Sequence, residues 1–179
     1  SEKSSLQVRC SSIALVLTVF ITLFCVVRVW VRNLDVRNDI TIYRSAVREN
    51  PSSALMRTDL GLVYARYGFF QEALASFWKA VEIRPEDPVT YFAMADVYMS
   101  IGEMGNAIQA LKKAIAIDPQ HAEAYYNLAG IYALRGENAL ARENLAKALY
   151  HLRHQGQQQI ALDYEKAFKE YFDFPDQKR

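Results

Sequence analysis

One spacing governs this sequence: from residue 43 to residue 148 its pattern returns every 34 positions. Alanines stand at Ala46, Ala80, Ala114 and Ala148, and prolines at Pro51, Pro85 and Pro119. Tyr64, Tyr98 and Tyr132 keep the same step, as do Gly68, Gly102 and Gly136. Small residues recur at Gly61, Ala95 and Ala129, and again at Ala73, Ala107 and Ala141. A large apolar side chain recurs at Tyr43, Phe77, Leu111 and Leu145. A period of this length makes each copy one supersecondary unit that buries its apolar face only by stacking on its neighbours.

Within one copy the residues predict two helices. Ala54 to Arg66 reads as the first, with Leu60 and Tyr64 at i, i+4 spacing. Gly68 ends it, because glycine tolerates the left-handed conformation of a helix C-terminus. A second helix is expected from about Phe70 to Arg84, and Pro85-Glu86-Asp87-Pro88 stops it. Small residues such as Gly61 and Ala73 allow close helix approach, and aromatics such as Tyr64 and Phe77 fill the space between units.

These helix-turn-helix units resemble tetratricopeptide repeats, placed at 54–87, 88–121 and 122–155. The resemblance implies an all-α chain, with a right-handed α-solenoid of repeats as its main body. Two positions depart from the family pattern. Arg57 stands where Tyr91 and Tyr125 supply the first large aromatic of the later units, and Arg153 stands where a terminating proline would fall. The third unit is therefore expected to run on or to end differently.

Two flanks extend the array. Residues 36–52 hold Tyr43, Ala46 and Pro51 in register, so they read as the second helix of an incomplete unit. Residues 156–174 are expected to form a C-terminal capping helix. Ile160, Ala161, Tyr164, Ala167, Phe168 and Tyr171 mark its apolar stripe. Phe168, Tyr171, Phe172 and Phe174 are either core or a docking patch.

Ahead of the repeats lies an apolar block. After an N-terminal tail, residues 1–11, no charged residue occurs from Ile13 to Val27. Extended over 12–32, the block reaches the ~20 residues a helix needs to cross a bilayer. Arg28 would snorkel and Trp30 would sit at the interface. A single-pass transmembrane helix is the expectation; a cleaved signal and a buried soluble helix are the alternatives, and Arg28-Val29-Trp30-Val31-Arg32 is a poor cleavage site. Lys3 and Arg9 precede the block, whereas Arg28, Arg32, Arg37 and Arg44 lie at or after its end. That balance turns the repeats to the cytoplasmic side, with an extracytoplasmic domain as the alternative.

The resemblance also implies where a partner would bind. The first helix of each unit would line a concave groove holding Leu55, Thr58, Leu62, Val89, Phe92, Asp96, Met99, Glu123, Tyr126, Asn127 and Gly130. An apolar and aromatic face of this kind suits an amphipathic helix or an extended peptide; the alternative is that the chain's own flanking helices cover it. A clamp for chaperone C-terminal carboxylates would need basic residues where Thr58, Leu62, Val89, Ala93 and Glu123 stand, with Asn127 the one match. The expected role is a membrane-anchored scaffold that mediates protein–protein interaction in assembly or stabilisation of a membrane complex. The alternative is a permanent accessory subunit of such a complex, held through its membrane helix.

Other function classes find little footing. The net charge of +1 offers no basic excess for nucleic acid. Cys10 and Cys25 both lie in or beside the apolar block, which leaves the repeats without a thiolate site or disulfide. His151 and His154 have i, i+3 spacing but no third ligand in view, so they read as surface residues. No phosphate loop or nucleophile motif is present, and neither an enzyme nor a cofactor is expected.

Overall fold

The computed structural model of the protein describes residues 2–172, with side chains described for 21–30, 34 and 36–172. Eight helices occur among these residues, and no strand. They are α1 (Glu2–Glu49), α2 (Ala54–Arg66), α3 (Phe70–Ile83), α4 (Pro88–Ser100), α5 (Met104–Ile117), α6 (Ala122–Leu134), α7 (Asn138–His154) and α8 (Gln158–Tyr171). The chain divides into two compact units, Ser1–Ser45 and Ala46–Arg179.

The first unit is most of α1. The expected tail, membrane span and half-repeat helix are not separate elements, because α1 runs unbroken through all three. The reason is local. No glycine or proline occurs before Pro51, so nothing ends the helix between the apolar block and the repeats. Among the described residues no helix is long and apolar enough to cross a membrane. Of the predicted span 12–32, the side chains of residues 12–20, 31 and 32 lie outside the described residues. Those of residues 21–30 are all exposed.

The second unit holds three helix pairs, α2–α3, α4–α5 and α6–α7, followed by α8. Ser53 caps α2, its Oγ accepting from the Met56 N–H at 3.3 Å. Arg57, the departure from the aromatic pattern, instead donates from Nε and Nη2 to the Pro51 carbonyl at 3.1 and 2.8 Å. Pro88 occupies the first turn of α4, where its missing N–H would have no helical partner.

The turn within each pair is the same device. Gly68 has φ +80°, and the Phe69 N–H reaches back to the Tyr64 carbonyl at 2.9 Å. Glu103 to Tyr98 and Glu137 to Tyr132 repeat that bond at 2.8 and 2.9 Å. This six-to-one closure satisfies carbonyls that a helix end leaves unpaired. The tyrosine column is therefore also the column of carbonyls that close the turns.

Between the helices of each pair the periodic residues meet. Ala73, Ala107 and Ala141 are fully buried, as are Phe77 and Leu111. Burial of each large apolar side chain is worth about 1.5–3 kcal/mol.

The third unit does run on. The second helix, α7, has 17 residues against 14 in α3 and α5. It ends at Gly156, φ +75°, with the Gln157 N–H bonded to the Leu152 carbonyl at 2.9 Å. The chain thus leaves α7 by the turn used inside the pairs, not by a proline loop. Ala122, Leu149, Leu152 and Ala161 then form a core, with Leu145 and Tyr164 packed against it, and this core seats α8 as the cap. Within α8, Phe168 is buried and Tyr171 is exposed, and Phe172, which caps its C-terminus, is half-buried. Phe174 lies outside the described residues.

Candidate partner-binding groove

The first helices of successive pairs, α2, α4 and α6, are joined along one face by side-chain bonds. Thr58 on α2 and Thr90 on α4 share a hydrogen bond of 2.7 Å between their hydroxyls. The Thr90 hydroxyl also donates to the Asp87 carboxylate just before α4. Farther along, Asn127 Nδ2 on α6 donates to Asp96 Oδ1 on α4 at 3.1 Å. His121, which precedes α6, lays its ring on Phe92 with centroids 4.8 Å apart.

This face brings most of the expected groove residues together. Leu55, Leu62 and Val89 are exposed, as is the Asp96 side chain, while Phe92, Met99, Glu123, Asn127 and Gly130 are half-buried. Two expectations need correction. Thr58 is 3% exposed, because its hydroxyl is enclosed in the seam with Thr90; it joins repeats and is not a contact for a partner. Tyr126 is covered by α8, its ring 3.9 Å from that of Tyr164 and 6.2 Å from that of Phe168, centroid to centroid. The chain's own cap therefore occupies the C-terminal end of the face, while the α2 and α4 end stays open.

Burial governs the ionisable groups here. Although the Asp96 side chain is exposed, the apolar face around it removes water and raises the carboxyl above its ordinary pKa; His121 and the Asn127 hydrogen bond offset part of the rise. Burial also raises the Tyr126 and Tyr164 phenols. Tyr171 adds to the first, and Glu123 and Tyr126 add to the second. Where the open face meets α8, a cavity of about 340 Å³ is lined by Met99, Met104, Gly130, Leu134, Phe168 and Tyr171, among others. Its walls are almost entirely apolar, so it suits a hydrophobic side chain. Residues that sequence reasoning did not place on this face include His121, Thr90 and Leu134. None belongs to an obvious periodic column, which is why they were missed.

The profile described as tetratricopeptide repeat matches residues 40–88, and a second, described as TPR repeat, matches 95–136. The chain is built from tetratricopeptide repeats. The first match begins inside α1, where Tyr43 and Ala46 keep the period, and takes in Pro51 just after that helix. No curated protein matches the chain.

Among solved structures, a crystal structure of MamA is 26% identical, covers 71% of this chain and 82% of its own, and superposes with a TM-score of 0.57. Another MamA structure, 25% identical, covers 76% of this chain and 82% of its own at a TM-score of 0.59. MamA residues 41 to the end from Desulfovibrio magneticus RS-1, 20% identical, covers 68% of each chain at a TM-score of 0.61; that likeness concerns the fold. Repeats of this family together with these neighbours support a protein-interaction scaffold.

His151 and His154 face elsewhere. The His151 ring lies nearly parallel to Tyr125, 15° and 5.5 Å away, and His154 lies against Tyr150. No group of His, Cys, Asp or Glu among the described residues has the arrangement of a metal site.

Proposed function

We propose that this tetratricopeptide-repeat chain is a non-catalytic, membrane-tethered scaffold that holds a segment of a partner protein on the open face of α2 and α4. Its role in this reading is the assembly or stabilisation of a membrane protein complex. The observation that carries it is the exposure of Leu55, Leu62 and Val89 beside half-buried Phe92 and Met99. Together these form an apolar strip on the α2–α4 face. Such strips are covered by partners more often than left to water.

The tether rests on α1. Ile21, Leu23, Phe24, Val26, Val27 and Val29 are exposed and point around the whole circumference of that helix. A helix apolar on every side requires a nonaqueous surrounding. Arg28, Arg32, Arg37 and Arg44 turn the repeats toward the cytoplasm by the positive-inside rule. A tether raises the local concentration of the scaffold near membrane partners, so modest groove affinity suffices.

The test uses Leu62→Glu and Val89→Glu, both at exposed positions, with proteins captured from detergent-solubilised membranes. Loss of the captured partner with an unchanged melting curve is expected. Capture that survives both changes refutes the groove.

The same exposed apolar turns of α1 favour one competing reading, a permanent accessory subunit held by its membrane helix. Replacing residues 13–31 with an unrelated anchor separates the two. Association that persists supports the groove, and association that disappears supports the accessory subunit.

A further inference from the structure

A second recess lies off the groove, where α3, α4 and α5 meet. It is lined by Trp78, Tyr91, Met94, Tyr98, Gln109 and Lys113, among others, and has a volume of about 260 Å³. Trp78 and Lys113 sit on the second helices of their pairs, which do not carry the groove residues. Met94 closes the floor, 2% exposed, and the Trp78 indole is about half exposed at the rim.

The recess recurs. One repeat on, a cavity is lined by Lys112, Tyr125, Leu128, Tyr132, Glu143 and Lys147, each 34 residues beyond its counterpart. Stacking therefore builds one such slot per junction, and sequence decides its chemistry. In the second slot Lys112 replaces Trp78 and Glu143 replaces Gln109. Lys147 there is bound to Glu143 at 2.7 Å, so its charge is neutralised locally. In the first slot the corresponding Lys113 has no ion-pair partner among the described residues, and nor does Lys79, one repeat earlier in the same column. Of these two slots, the first combines a three-ring aromatic wall with a lysine that has no ion-pair partner among the described residues.

We propose that the Trp78–Tyr91–Tyr98 slot docks one aromatic or aliphatic side chain of a partner polypeptide whose adjacent carboxylate is held by Lys113. The size favours a single anchoring side chain, because sites for whole small molecules begin at about 300 Å³ and bury most of the ligand. Tryptophan and tyrosine in such a recess are the residue types that carry interface energy. The unpaired lysine selects acidic over basic sequence around the anchor. The site is separate from the groove and does not depend on it: Leu62 and Val89 line neither slot.

The experiment uses the full chain in a neutral detergent with Trp30→Phe, which leaves Trp78 as the only tryptophan. Two blocked tripeptides serve as probes, acetyl-Glu-Phe-Glu-amide and acetyl-Lys-Phe-Lys-amide. The expected result is a saturable change in Trp78 emission with the acidic probe and binding at least about tenfold weaker for the basic one. Lys113→Glu inverts that preference. Trp78→Lys, read by calorimetry, abolishes binding without lowering the melting point, since the next repeat already accommodates Lys112 at that position. Equal response to both probes, no saturation at millimolar concentration, or a preference unmoved by Lys113→Glu overturns the proposal. So does Trp78 quenching by phosphatidylserine vesicles that the acidic probe cannot compete away, which assigns the slot to lipid. Self-association abolished by Trp78→Lys, with no peptide binding, overturns it in favour of a second copy.

Discussion

Gly61 lies so close against Phe77 that a β-carbon on it would stand 2.6 Å from the ring's Cδ1. The next two repeats place Ala95 with Leu111 and Ala129 with Leu145 at the same positions. The pair has exchanged volume: a methyl removed from the first helix makes room for a ring on the second. Gly61→Ala is therefore expected to destabilise the repeats by about 1–3 kcal/mol through overpacking. Alanine's helix advantage of about 1 kcal/mol over glycine works against that loss and does not cancel it. Adding Phe77→Leu restores the later repeats' combination and recovers most of the stability. A double-mutant cycle by chemical denaturation measures this as a coupling of about 0.5–3 kcal/mol. Additive single effects would show that the close approach carries no energetic weight.

The buried hydroxyl pair between α2 and α4 makes a second prediction. Thr90 is fully buried and serves both the Thr58 hydroxyl and the Asp87 carboxylate. Thr90→Val leaves both without that partner and is expected to cost about 1–3 kcal/mol. Thr58→Val costs less, because the bond from Thr90 to Asp87 survives it. The double valine variant should cost less than the sum, since two apolar groups then face each other. If the double variant is as unstable as the summed singles, the seam is held by packing and not by hydroxyls.

The solenoid was legible because its determinants are local and periodic. Gly68, Pro85, Tyr64 and their copies mark helix ends and seams that one dimension of sequence already encodes. The unbroken α1 was not legible, because sequence reasoning treated the change from apolar block to repeat register as a boundary. No residue there stops a helix, so a change in what surrounds a helix need not interrupt it. On the candidate face, the family resemblance placed Leu55, Leu62, Val89 and Phe92, but the burial of Thr58 depends on a partner 32 residues away. The covering of Tyr126 depends on Tyr164 and Phe168, in a helix outside the period. The alignment of Tyr91 with Tyr125 and of Lys113 with Lys147 was present in the sequence as a further column. Only the geometry turns that column into a slot.

The cap supplies a contrast between two aromatic residues in one helix. Phe168 is 1% exposed and lies edge-on to Tyr126 and tilted against Phe172, whereas Tyr171 is 82% exposed. Phe168→Ala is expected to cost about 3–5 kcal/mol in the stability of the cap. Tyr171→Ala should stay within about 0.5 kcal/mol of the parent, as exposed substitutions do. Hydrogen exchange locates the loss: amides of 158–171 should open first in Phe168→Ala while those of α2 to α5 keep their protection. Uniform loss across all repeats would mean that α8 unfolds together with the array and is not a separate cap.

Asp96 makes stability depend on pH in a direction opposite to that of a salt-bridged carboxylate. Burial raises its folded pKa above the ordinary value of 3.8, with His121 and Asn127 opposing the shift. The folded chain therefore holds this proton to higher pH than the unfolded chain does. Stability from this group is complete below the unfolded pKa and falls as pH rises through the raised folded value, where a carboxylate must ionise in a partly dry groove. Asp96→Asn removes the ionisation and keeps an oxygen to accept from Asn127 Nδ2. The variant is expected to melt slightly higher than the parent at neutral pH. The advantage should shrink on acidification and vanish once Asp96 is protonated in both folded and unfolded chains. Because the side chain is exposed, solvent screening keeps the difference small. Melting curves of the two chains across the acid range test the sign. A variant less stable than the parent at neutral pH would mean that the charge on Asp96, paired with His121 and Asn127, supports the α4–α6 seam.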